Sequence, residues 1–98
     1  MKDEALLVVI AATIYGSVAG SVKDNDKEAL TQAREILAGA NVEAKGDVDM
    51  RDALALGAAA IYAAQAQIAG VRTLANIPGG TGGAVGWTAR FAELVKQK

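Results

Sequence analysis

Charged and apolar positions divide the chain into blocks. Residues 5–22 carry no charge, thirteen of the 21 charged side chains fall between Lys23 and Asp52, and Arg72 alone is charged between Ala53 and Ala89. The chain thus reads as apolar, polar, apolar, with a short mixed tail and no linker or internal repeat. The polar block gives the clearest helix. Asn25 and Glu28 have the spacing of a capping box, and Ala29, Leu30, Ala33, Ile36, Leu37 and Ala40 then recur at the 3.6-residue period. Gly39 to Asn41 supplies a stop. Val42, Glu43, Ala44 and Lys45 then alternate like a short edge strand, with a turn at Gly46-Asp47.

The apolar blocks follow. Asp49 and Asp52 open a helix over 53–69 in which Gln65 and Gln67 are the only strongly polar side chains. A helix without a polar face is normally enclosed by protein or lipid. The run from Pro78 through Gly83 is expected to be a loop or hinge. The last helix, over 84–97, places Val85, Thr88, Phe91 or Ala92, and Val95 on one stripe. Trp87 and Phe91 lie four apart on it, as core anchors in a soluble fold or interfacial anchors at a membrane.

The first block reads two ways. As a helix, Asp3 and Glu4 meet the positive end of its dipole, and eighteen residues would cover about 27 Å, just enough for a bilayer core. Ala12, Gly16 and Gly20 then fall on one face at small-xxx-small spacing, which lets another helix approach closely. As a strand, its seven β-branched residues favour residues 6–13 as extended structure. Strands at 6–13, 42–45 and 71–77 would then build a three-stranded α/β, Rossmann-like half. The glycine loops at 16–20 and 79–83 would meet at its switch point, where such folds bind anions.

Composition narrows the chemistry. The chain has 98 residues, 52% of them apolar, and its 22 Ala and 11 Gly leave only four aromatic side chains. It contains neither Cys nor His, which removes thiolate chemistry, disulfides and the commonest general base and metal ligand. A net charge of -1 lacks the basic stripe of a nucleic-acid binder. Asp47, Asp49 and Asp52 crowd like the start of a calcium loop but lack its downstream Gly and bidentate Glu, and capping explains them. The Gly79–Gly83 run matches neither phosphate-loop pattern, and no cation adjoins it. No catalytic residue, metal site or cofactor is expected.

The stretch from Ile14-Tyr15-Gly16-Ser17 to Val18-Ala19-Gly20 follows an apolar run and precedes an amphipathic helix. It resembles the opening of flavodoxins, whose first loop holds the FMN phosphate. The likeness covers under half of the chain. The hydroxyl-rich positions of that loop are missing, and the chain is too short for the family's five-stranded sheet, so no residue or cofactor carries over.

Two expectations result. The favoured one is a mainly α, Ala/Gly-rich subunit with two apolar helices that associates with copies of itself, as filament, pilus, coat or membrane-embedded assembly. Its layout is like that of small helical pilins and the coat proteins of rod-shaped viruses. Its contact residues would be Ala12, Gly16, Gly20, Gly57 and Tyr62, with lipid as a further partner and an extracellular or membrane setting. The other is a small α/β module holding a phosphate-bearing or anionic ligand at Gly16, Gly20, Gly79, Gly80, Gly82 and Gly83.

Overall fold

Residues 3–16 form a helix because nothing in them breaks one and their charged end suits it. A computed structural model describes residues 1–17, 25–69 and 79–97. Helix α1 (Asp3–Gly16) begins on Asp3 and Glu4 and closes at Ser17, whose Oγ donates to the Ile14 carbonyl at 2.6 Å. Leu6, Ile10 and Ile14 make a fully buried stripe along it. Each buried side chain of this size contributes about 1.5–3 kcal/mol. Of the β-branched residues that favour a strand, Ile10 and Ile14 pack on this stripe and Val8, Val9 and Thr13 face solvent.

Helix α2 (Asn25–Ala44) starts at the expected residue, with Asn25 itself buried. It runs past the expected stop at Gly39. The actual terminator is the pair Lys45 and Gly46, both at positive φ (52° and 91°), the left-handed geometry that ends helices. The edge strand expected at 42–45 is therefore the last helical turn and its cap. Four residues of alternation fit both periods, and Ala44 packs inward while Val42 is exposed.

Helix α3 (Val48–Ala69) starts earlier than expected, because Asp47 serves as its N-cap and accepts the Met50 amide at 3.0 Å. Helix α4 (Gly80–Lys96) takes up most of the glycine run: Gly79 sits left-handed at its N-cap, and the Gly83 amide donates to the Gly79 carbonyl at 2.9 Å. Of the loop expected at 79–83, Gly79 and Gly80 keep positive φ (80° and 59°), while residues 81–83 belong to the helix's first turn.

The protein is mainly α, and the described residues contain four helices and no strand. The α/β alternative is corrected accordingly: residues 6–13 lie inside α1 and 42–45 close α2, while 71–77 and Gly20 lie outside the described residues. Helices α2 and α3 pack on each other, and α1 and α4 each pack on both of them. Arg51 on α3 holds the start of α1 through Asp3 at 2.8 Å and also binds Asp52 at 2.9 Å. The body measures 43 × 26 × 15 Å. That thinness, with Ala29, Ala33, Ala40, Ala55, Ala58, Ala59 and Ala66 filling the core, gives each helix one packed side and one open side. None of the described helices is long and apolar enough to cross a membrane.

Candidate functional site

The inner side of α4 is built by missing side chains on its neighbours. A Cβ added to Gly57 of α3 would lie 2.6 Å from the Thr88 methyl, and one added to Gly39 of α2 would lie 3.2 Å from a Val85 methyl. Both glycines are notches in the central helices, and α4 fills them. The Thr88 hydroxyl donates to the Ala84 carbonyl at 2.8 Å, which fixes the side chain over Gly57. Ala84 and Val85 are buried here. Gly39 is therefore a notch and not the expected stop, a difference that residue type alone does not express.

The outer side of α4 shows the opposite arrangement. Gly82, Gly83 and Gly86 have nothing within 4 Å of an added Cβ. Gly83 and Gly86, with Trp87 and Arg90, line an open groove of about 420 Å³. Trp87 is 65% exposed and Phe91 55%, so neither is the core anchor expected of it in a soluble fold. Leu94 and Val95 are exposed as well, which corrects the placement of Val95 on the packed stripe. Positions 83, 87, 90 and 94 recur at helical spacing, and that stripe is the signal by which sequence alone could find the groove.

The outward face of α1 is also largely apolar. Ala5, Val8, Val9, Ala12, Tyr15 and Gly16 are exposed on it, with no neighbour within 4 Å of an added Gly16 Cβ. Alongside it, a groove of about 510 Å³ runs between α1 and α2 over Leu7, Val8, Ala11 and Leu30, rimmed by Glu4, Asp26 and Lys27. Of the expected contact residues, Ala12 and Gly16 thus lie outward together. Gly57 instead receives Thr88 of its own chain, and Tyr62 is buried at 2% exposure. Burial pushes the Tyr62 phenol up to about 12, with the Glu35 and Glu28 charges adding to the effect.

Of the glycines expected to hold a ligand, three come together and Gly20 lies outside the described residues. Gly79, Gly80 and Gly83 line a cavity of about 240 Å³ with Ile61, Tyr62, Gln65, Ala84 and Trp87, none of them charged. Gly82 is exposed, and Gly16 is exposed at the end of α1. The described residues contain no cluster of three acids able to hold a metal. Of the acids that crowd together in the sequence, Asp47 caps α3, while Asp52 pairs with Arg51 and the Met1 amino group. That amino group first, then Arg51, holds the Asp52 carboxyl below the usual range.

Compared with known protein families, curated proteins and solved structures, the chain matches none. Function therefore rests on the surfaces themselves.

Proposed function

We propose that this chain is a self-associating structural subunit, joined to copies of itself through the outer faces of α4 and α1. The observation supporting it is that α1 and α4 each carry exposed apolar side chains on a side turned away from the core, Val8, Val9 and Tyr15 on α1 and Trp87, Phe91 and Leu94 on α4. Contiguous apolar surface of this kind marks interaction sites on soluble domains. One face alone would close as a dimer. Two separate faces allow growth into an open chain or sheet.

The test separates the two faces. Ala12→Glu places a charge on the α1 face without touching the core, since Ala12 is exposed. This variant should stop at a small closed particle by light scattering, while the unaltered chain grows and shows elongated particles by electron microscopy. Combining Ala12→Glu with Trp87→Ala should leave the 10.0 kDa single chain. An unaltered chain that stays single overturns the proposal. Recovery only in detergent would assign the faces to lipid instead.

A further inference from the structure

We propose, resting on the self-association reading above, that the α4 face takes a second copy of α4 in antiparallel orientation about a two-fold axis. The fold already joins its own helices by seating side chains in missing ones. Inside the chain, glycine notches on α2 and α3 receive Val85 and Thr88. On the outside of α4, Gly83 and Gly86 form the same kind of notch, and the groove they line with Trp87 and Arg90 stands open.

The filler is on the same helix. The N-terminal half of the outer face is small (Gly82, Gly83, Gly86), and the C-terminal half is large (Trp87, Arg90, Phe91, Leu94). A parallel pair would set large against large and leave both notches empty. An antiparallel pair sets each large half on the other's small half, and a two-fold axis makes the match reciprocal. With that axis near Trp87 to Arg90, Leu94 of one copy covers Gly83 of the other. The aliphatic stem of Arg90 covers Gly86, and Trp87 meets Phe91.

Charge agrees with this orientation. Glu93 is brought toward the first turn of the second α4, where free N–H groups favour an anion. Arg90, near the axis, is partly balanced by Glu93 of its own chain at 3.5 Å. The area is in range too. The exposed parts of Trp87 and Phe91 alone come to on the order of 250 Å², about a third of the roughly 800 Å² that each partner contributes to a stable interface. Leu94, Val95, the Arg90 stem and the open glycine backbone extend the same face.

The chain has no cysteine, so single cysteines report orientation cleanly. Gly83→Cys enters open space and Leu94→Cys replaces an exposed side chain, so both variants should keep the helical circular dichroism of the unaltered chain. The two are mixed in equal amounts and oxidised. The mixed disulfide, joining one Gly83→Cys chain to one Leu94→Cys chain, should exceed either self-disulfide at least tenfold. Predominant Leu94→Cys self-disulfides, or a random 1:2:1 mixture, would overturn the antiparallel pairing while light scattering still showed association. Chains that remain single by light scattering and give no disulfide would overturn both the pairing and the self-association beneath it.

Discussion

Gly57 and Gly86 are chemically identical and lie in helices that touch each other, yet they have opposite surroundings. Gly57 is the floor of a notch that Thr88 fills, and Gly86 is the floor of one that stands open. The difference separates two uses of glycine in one small fold. Inside, the missing side chain lets α4 come close enough for a thin alanine core to be sealed. Outside, it leaves a recess beside Trp87 that another molecule can fill.

The largest expected effect tests that contrast directly. Gly57→Leu drives a side chain into Thr88 and should destabilise the protein by about 3 kcal/mol, read from denaturant unfolding. Gly86→Leu should leave single-chain stability unchanged or raised by about 0.5–1 kcal/mol through helix propensity. The same change should weaken association at least tenfold, because it occupies the groove. Equal destabilisation by the two changes would erase the distinction.

A second pair compares apolar side chains across the same helix. Val85→Ala opens a cavity against Gly39 and should cost about 2 kcal/mol. Phe91→Ala should change unfolding of the dilute single chain by less than about 0.5 kcal/mol, as exposed positions usually do, while reducing association. Light scattering on the Phe91 variant and thermal melts on both would show the split.

Tyr62 tests the interior alone. Its phenol stays protonated in the fold up to about pH 12 against an ordinary value of 10.0. The unfolded chain releases the proton first, so its stabilising contribution is intact below pH 10 and is lost as pH rises toward 12. The loss is about 2–3 kcal/mol from that group, visible as a steepening of alkaline unfolding that Tyr62→Phe removes. The smallest effect belongs to the exposed network at the start of α1 and α3. The Asp52 carboxyl titrates below its usual range, so its contribution holds above that range and disappears as pH falls through the lowered value. Asp52→Asn should flatten that part of the acid melting profile by lowering stability slightly at neutral pH and leaving it unchanged in acid.

Much of the helical plan is legible in the sequence. The Asn25 start, the acids on the first turn of α1 and the apolar character of α3 all follow from local rules. The boundaries that differ share a cause. Gly39, Gly82 and Gly83 are helical, whereas Lys45, which has no special propensity, turns the chain with Gly46. A glycine's role depends on what approaches it, and that is a tertiary fact. The buried stripe of Leu6, Ile10 and Ile14 is hidden in the sequence because α1 is apolar all round, so no polar face marks its outside. The α4 surface is hidden for the opposite reason. Trp87 and Phe91 look like anchors of a core, but the helix turns Ala84, Val85 and Thr88 inward, since only small side chains fit the glycine notches of α2 and α3.

Association itself is the claim on which the rest depends. Size exclusion with in-line light scattering, in buffer without detergent and across a wide range of concentration, measures it directly. A mass that rises with concentration through multiples of 10.0 kDa, and that Gly86→Leu pushes back down, is the expected result. A constant single-chain mass over the whole range would contradict it, and the open faces of α4 and α1 would then need another occupant.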